Sequence, residues 1–237
     1  LITVVTLAAF FLVAWGGRYY LTADTISPQI PWWNYLLAHG WHGIATLNAD
    51  IHGDYTTIWY FVIECFIKIG LYPRFPIEFN LKLLAIITTF LSAGAVFAIT
   101  RHFHPKSKNL PFIAAAVTLF LPTFFMDLLK TNLTDGMYIA PMLWSFYFFI
   151  KKRHGTAWFL LGLGACFKLM AIYLAPVYIL VYLRDFARNS WRERIAPIFA
   201  ILAMILCSLP NMLAGGKFFD GFFSTIFSRG DGGGPYL

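Results

Sequence analysis

Residues 81–108 read LKLLAIITTFLSAGAVFAIT-RHFHPKSK: a mostly apolar 20-residue run with one charged residue, a lysine, followed directly by a basic cluster. A helix of about 20 apolar residues spans the hydrocarbon core of a bilayer. Lys and Arg beside a span favour its cytoplasmic side. This stretch therefore predicts a transmembrane helix whose C-terminal end lies in the cytoplasm.

The composition of the whole chain agrees with a membrane location. Of its 237 residues, 59% are hydrophobic and only 12% are charged, whereas soluble domains carry about 25% charged residues. So few charges cannot cover a water-facing surface, which excludes a soluble globular domain and a disordered tail. The net charge of +7 falls into short clusters rather than one stripe, so nucleic acid is not an expected partner. The three cysteines lie in apolar runs and are expected to be packing residues.

Further apolar runs predict an all-α, polytopic transmembrane protein, and they cover residues 1–17, 110–129, 136–150 and 195–214. The run 158–183 is too short for two full spans and is interrupted by Lys168. This favours two short helices that meet inside the membrane, with one long tilted helix as the alternative. Residues 1–237 are expected to form a single transmembrane domain. The sequence begins inside an apolar run without Met and ends without a terminal signal, so we expect it to be the N-terminal part of a longer protein.

The charges predict the orientation of these segments. Ten of the 18 basic residues fall into three loops, which the positive-inside rule assigns to the cytoplasm: 101–108, 151–153 and 184–194. With these loops inside, residues 56–71 cannot cross the membrane, and we expect an amphipathic helix in the outer interface with its Glu64–Lys68 pair facing water. Residues 18–80 then form an extracytoplasmic loop with interfacial helices. Nine of the eleven acidic residues lie on or near this outer face.

Two groups of acidic residues in the outer loop are candidates for chemistry. Asp24 follows the first span and precedes Pro31 and a pair of tryptophans, which would hold it at headgroup depth. A partly buried carboxylate there suits a general base, although a solvated or capping Asp is the alternative. In the step Asp50-Ile-His52-Gly-Asp54, two carboxylates flank an imidazole. This pattern fits a divalent cation such as Mg or Mn or an acid/base pair, and chance is the alternative.

Two lysines stand at membrane depth. Lys82 is the second residue of the 81–100 run, where it could bind a ligand or extend its ammonium to the interface. Lys168 interrupts an apolar stretch, and a charge there costs about 2.5–3.5 kcal/mol on insertion scales, so a functional role is expected. An ammonium at that depth suits a phosphate headgroup. Asp135, at the start of the 136–150 span, fits either a helix cap or a wall of the same outer cavity.

These residues resemble those of the GT-C class of integral-membrane glycosyltransferases, and bacterial mannosyltransferases that use a lipid-phosphate-mannose donor are the most similar. The resemblance covers roughly residues 18–180. It rests on the following matches: Asp24 with Pro31-Trp32 seven residues later, Gly53-Asp54-Tyr55 before an aromatic helix, Lys82 opening a span, Asp135 in the second loop, and Phe167-Lys168-Leu-Met-Ala-Ile172 before Pro176. The Trp-Gly-Gln step that often precedes the second-loop Asp in relatives is absent from residues 129–134.

The resemblance implies a GT-C-like fold and an inverting transfer of mannose or another hexose from a polyprenyl-phosphate donor. It implies that Asp24 is the catalytic base and that lysines such as Lys82 and Lys168 hold the donor phosphate. Members differ in their use of a metal, so His52 and Asp54 stay open as ligands. The expected partners are the lipid-linked donor, membrane lipids, and a glycan, lipid or protein acceptor outside the bacterial plasma membrane.

Two other classes remain as alternatives. A transporter or flippase for a lipid-linked anion would use a broken helix around Lys168 to bind its substrate near the midplane. However, it needs no interfacial loop of nearly 40 residues and would favour inverted repeats, which the sequence lacks. A membrane acyltransferase is the weaker alternative, because the chain has no matching His–Asp pairing.

Overall fold

The computed structural model describes residues 2–17, 26, 29–51, 56–122, 124, 135–186 and 190–218. These residues are mostly helical and contain no β-strand, which confirms the all-α prediction. The helices are α1 (Ile2–Gly16), α2 (Ile30–Asp50), α3 (Thr57–Lys68), α4 (Ile77–Phe103), α5 (Leu110–Leu119), α6 (Asp135–Ile150), α7 (His154–Phe167), α8 (Ala175–Asp185), α9 (Trp191–Arg194) and α10 (Ile198–Leu213). A 3-10 segment, Leu169–Leu174, joins α7 to α8.

Among the described residues, α4 is the one helix long and apolar enough to cross a bilayer by itself. Its 27 residues correspond to about 40 Å at 1.5 Å per residue. The other predicted spans are shorter in the described part of the chain: α1 has 15 residues, and α6 and α10 have 16 each. The run predicted over 110–129 is described as helix α5 over Leu110–Leu119.

Two pairs of helices in the bundle run parallel to each other. Helices α4 and α6 are parallel, because the Trp144 indole N–H donates to the Leu91 carbonyl at 2.9 Å and Gly136 packs against Thr88. Helices α7 and α10 are also parallel, since Gly155 lies beside Phe199 and Cys166 packs with Cys207. We call the end of the bundle that carries 151–153 and 191–194 the basic end.

The break predicted at Lys168 is present. Helix α7 ends at Phe167, Lys168 is extended (φ −153°, ψ 129°), and α8 begins at Ala175. Helix α8 returns along α7, because Tyr178 packs on Trp158 with ring centroids 5.6 Å apart and the Tyr182 hydroxyl donates to the Arg194 carbonyl. The two helices therefore form a hairpin with both outer ends at the basic end, rather than one long helix.

Helices α2 and α3 form a cap on the opposite end of the bundle. Helix α2 is folded at Gly40 (φ 58°, ψ −144°). Its two arms lie side by side, since the Tyr35 hydroxyl bonds both Thr46 Oγ1, at 2.7 Å, and the Asp50 carboxylate. In a straight helix, residues 35 and 50 would lie about 22 Å apart. The aromatic core of this cap continues into the start of α4 and to Ala214.

The structure of the cap differs from the prediction in the exposure of Glu64. Residues Thr57–Lys68 form a helix with the expected Glu64–Lys68 pair at 3.4 Å, but only Lys68 faces solvent. The Glu64 side chain is fully buried beside the Gly40 turn of α2. The sequence predicts the helix that carries Glu64, but it does not predict the fold of α2, which covers that side of the helix. Burial disfavours the charged carboxylate and raises the pKa of Glu64, while Lys68 lowers it in part.

We expect a Glu64→Gln variant to become more stable relative to wild type as pH rises. Because the folded-state pKa of Glu64 is raised above 4.5, its stabilising contribution is complete below the unfolded pKa and is lost as pH rises through the folded pKa. Between about pH 4.5 and pH 8, the difference in Tm should grow by roughly 2–4 °C in favour of Gln. Glu78→Gln is the control, and a pH-independent difference for Glu64→Gln would contradict the prediction.

Candidate functional site

Two candidate residues from the second half of the chain, Lys168 and Asp135, form an ion pair. Lys168 Nζ lies 2.5 Å from Asp135 Oδ1, although 33 residues separate them in sequence. The side chains are 33% and 20% exposed, respectively, so the pair is partly buried but accessible. The Lys168 ammonium also lies 5.5 Å from the centroid of the Tyr138 ring. This arrangement holds the ammonium in one place between a carboxylate and an aromatic ring.

The local sequence explains how this pair forms. Lys168 occupies the extended residue between α7 and the 3-10 segment, while Asp135 begins α6. Helix α7 approaches α6 closely at Gly164, where a Cβ atom would meet the Tyr138 carbonyl oxygen at 3.2 Å. The chain break and the small residue therefore bring the ammonium to the first turn of α6. Asp135 and Tyr138, three residues apart, lie on one face of that helix.

The pair adjoins the cap. The Thr56 hydroxyl donates to the Cys166 carbonyl at 2.5 Å, which ties the start of α3 to the end of α7, two residues before Lys168. In the sequence, Thr56 follows Asp54 by two positions. His52 and Asp54 themselves lie outside the described residues, and so does Asp24. The described part of the chain holds no group of three or more His, Cys, Asp or Glu side chains that could bind a metal.

Lys82 occupies a different environment. Its side chain is 3% exposed and lines an apolar groove of about 550 Å³ between α1 and α4. The groove walls include Phe11, Trp15 and Phe79. Lys82 lies six residues before Thr88. Thr88 is the residue of α4 that packs against Gly136, the neighbour of Asp135. This separation is about 9 Å of helix rise and about 240° of rotation, so Lys82 and the ion pair lie on different faces of α4.

The pairing of Lys168 with Asp135 is the feature that the separate candidates did not reveal. The available signal is energetic, because a lysine inside an apolar helix needs a counter-charge. Tyr138 was not a candidate, although its position three residues after Asp135 places it on the same helical face. The sequence predicts Glu64 as a water-facing charge, whereas the structure buries its side chain. Cys166 and Cys207 behave as expected, since both are buried free thiols packed in one apolar cluster.

Comparison with known proteins adds one match. Residues 68–233 match the model of a family described as Glycosyltransferase family 87. The match spans about 70% of the chain and contains Lys82, Asp135 and Lys168, whereas Asp24, His52 and Asp54 precede it. No curated protein and no solved structure matches the chain.

Proposed function

Because the chain belongs to glycosyltransferase family 87 and is therefore a membrane glycosyltransferase, we propose that its donor is a polyprenyl-phosphate sugar. The transferred sugar is mannose or another hexose, and the acceptor is a hydroxyl of a glycan, lipid or protein. The transfer takes place on the extracytoplasmic face of a bacterial plasma membrane. The GT-C resemblance of Asp24 and the lysine motifs supports this assignment.

The observation that carries the donor class is the buried Lys82 at the apolar groove between α1 and α4. The groove of about 550 Å³ is apolar apart from this lysine. A polyprenyl phosphate combines a long hydrocarbon chain with an anionic head. The groove can contact the hydrocarbon portion, while the ammonium provides a charge-assisted hydrogen bond to the phosphate. A water-soluble nucleotide-sugar donor would gain nothing from this apolar surface.

The proposed reaction is a single displacement. The Asp24 carboxylate accepts the proton of the acceptor hydroxyl as its oxygen attacks the anomeric carbon of the donor. The bond between that carbon and the phosphate oxygen breaks, and the polyprenyl phosphate leaves with the bonding electrons. The anomeric configuration is inverted. Lys168 stabilises the negative charge that accumulates on the leaving phosphate, which lowers the barrier because this charge is largest late in the reaction. Lys82, in its separate groove on another face of α4, contributes to binding of the donor lipid.

The ion pair gives Asp135 a distinct role in this scheme. Asp135 accepts a hydrogen bond from Lys168 and thereby fixes the direction of the ammonium. A lysine carries three N–H donors, so one can bond the carboxylate while another bonds a phosphate oxygen. Asp135 is then a positioning residue, and Lys168 contacts the donor. His52 and Asp54 stay candidates for a metal or acid/base role in the same outer loop.

A flippase for a lipid-linked anion would use the same helix break and lysine. Family membership favours the transferase, because the matched family is one of glycosyltransferases. The two functions separate by their products. A flippase leaves the sugar–phosphate bond intact, whereas a transferase yields a new glycosidic bond and free polyprenyl phosphate.

The test is a transfer assay with purified full-length protein. We expect turnover with polyprenyl-phosphate mannose, or with the corresponding lipid of another hexose, and release of polyprenyl phosphate in equal amount to the glycosylated acceptor. Nucleotide sugars offered at the same concentration should give no product. Turnover of a nucleotide sugar without the lipid donor, or movement of an intact lipid-linked sugar across vesicles, would overturn the proposal.

We expect Lys82→Met to raise the KM for the lipid donor about tenfold, because one charge-assisted hydrogen bond of about 1.5 kcal/mol is lost. Methionine keeps the apolar wall of the groove, so the fold should persist. Arg74→Gln removes a cation from an exposed position at the same end of α4 and should leave KM unchanged. An equal effect of both variants would assign the result to overall charge instead of to the groove.

A further inference from the structure

A second cleft, of about 770 Å³, lies at the basic end of the bundle. It lies where the α6–α7 turn and α9 meet the start of α10. Six of its lining side chains form two groups. Three are cations, Lys152, Arg153 and Arg192, and three are large and apolar, Phe159, Phe199 and Leu202. None of these six residues belongs to the proposed transfer site.

The fold itself assembles the cations. Lys152 and Arg153 form the turn between α6 and α7, where Lys152 adopts a positive φ of 57°. Arg192 comes from α9, about 40 residues later in the chain. Among the described residues, none of the three forms a salt bridge. The cluster therefore presents charge from two separate segments to one cleft.

One carboxylate also lines the cleft. Glu193 accepts hydrogen bonds from the Ser190 N–H and hydroxyl, both at 2.8 Å, and its Oε1 lies 3.9 Å from His154 Nε2. The bonds from Ser190 lower the pKa of Glu193 and hold its charge in the cap of α9. With three cations and one carboxylate, the rim is net positive. The first turn of α7, which lines the cleft at His154, Gly155 and Thr156, adds positive helix-dipole potential.

The apolar part of the cleft continues onto an exposed helix face. Phe199 and Leu202 are 38% and 41% exposed, and Ile198 and Ile201 beside them are 60% and 58% exposed. In a membrane protein, an apolar helix face of this kind contacts lipid chains. The cleft therefore joins a cationic rim to a lipid-facing apolar wall. This combination is complementary to an amphiphile with an anionic head.

We propose that this cleft binds an anionic phospholipid such as phosphatidylglycerol or cardiolipin. The phosphate accepts charge-assisted hydrogen bonds from Lys152, Arg153 and Arg192, and the acyl chains lie against Phe159, Phe199 and Leu202. Basic pockets between membrane helices at the cytoplasmic side bind such headgroups. The proposal requires only that the chain lies in a membrane and does not depend on the sugar donor or on Asp24.

The experiment uses purified full-length protein in an uncharged detergent. Its Tm is measured against increasing phosphatidylglycerol, against phosphatidylcholine with the same acyl chains, and against inorganic phosphate. We expect a saturable increase in Tm with phosphatidylglycerol but not with phosphatidylcholine or inorganic phosphate. Equal stabilisation by phosphatidylcholine would indicate a general lipid effect and overturn the proposal. Equal stabilisation by inorganic phosphate would indicate a simple anion site and overturn it as well.

A matched pair of triple variants localises the effect. K152Q/R153Q/R192Q removes the cations of the cleft, whereas R101Q/K106Q/K108Q removes three cations from the 101–108 loop. We expect the first to raise the apparent Kd for phosphatidylglycerol at least about tenfold. The second should keep the Kd within about twofold. Equal losses in both would overturn the proposal.

A single substitution tests the cleft even if the triple variant does not fold. Arg192→Gln changes one side chain on α9, and native mass spectrometry counts the phosphatidylglycerol molecules that remain bound to it. We expect the most tightly bound lipid to be lost from Arg192→Gln and kept in Arg101→Gln. Retention of that lipid by both single variants and by a folded triple variant would contradict the cleft assignment.

Discussion

Asp24→Asn is expected to lower kcat of the full-length enzyme about 10²- to 10⁴-fold, because positioned general-base catalysis contributes an acceleration of that order. Asparagine has nearly the same shape as aspartate but cannot accept the acceptor proton at neutral pH. The KM for the lipid donor should change little, since in the proposed scheme Asp24 contacts the acceptor. The measurement is turnover of the polyprenyl-phosphate donor under saturating conditions.

The control for this variant is Glu78→Gln, which makes the same chemical change within the 18–80 loop but outside the proposed site. Its kcat should stay within about twofold of wild type. Donor binding, measured separately with a hydrolysis-resistant analogue of the polyprenyl-phosphate sugar, should be intact in Asp24→Asn. Unchanged turnover in Asp24→Asn would exclude Asp24 as the base, while the family assignment would stand.

Lys168→Met is expected to lower kcat/KM for the donor about 10- to 150-fold. A charge-assisted hydrogen bond contributes about 1.5–3 kcal/mol, and each 1.4 kcal/mol corresponds to a factor of ten. The variant also leaves the Asp135 carboxylate, which is only 20% exposed, without its ammonium 2.5 Å away. Lys108→Met, at an exposed position outside the site, is the matched control and should keep the wild-type kcat/KM.

A double-mutant cycle separates the roles of the two partners. Asp135→Asn keeps a hydrogen-bond acceptor for Lys168 but loses the charge, so we expect about a tenfold decrease in kcat/KM. If Asp135 acts only by positioning Lys168, the double variant should match Lys168→Met within about twofold. Additive losses would show that Asp135 has its own contact with the substrate. Equal Tm changes with no kinetic change would assign the pair to stability alone.

The helix break at Lys168 could be predicted from the hydropathy pattern of the sequence. A 26-residue apolar run with a central lysine predicts a break, because neither one nor two standard spans fits it well. The bend of α2 at Gly40 had no comparable signal, since an isolated glycine within a helical pattern is usually tolerated. For the same reason, the burial of Glu64 beneath that bend could not be predicted. An i,i+4 pair indicates proximity within one helix, but not which neighbouring element covers it.

The sequence alone determined the membrane class, because a charged fraction of 12% leaves too few groups for a soluble surface. It also determined the positions of the basic clusters and the candidate lysines, since a charge inside an apolar run is visible without coordinates. Only the tertiary structure decided that Lys168 pairs with Asp135, that Lys82 lines a separate groove, and that Lys152, Arg153 and Arg192 share one cleft. Hydropathy and charge are properties of a segment, whereas contacts between residues 30 or more positions apart depend on how the helices pack.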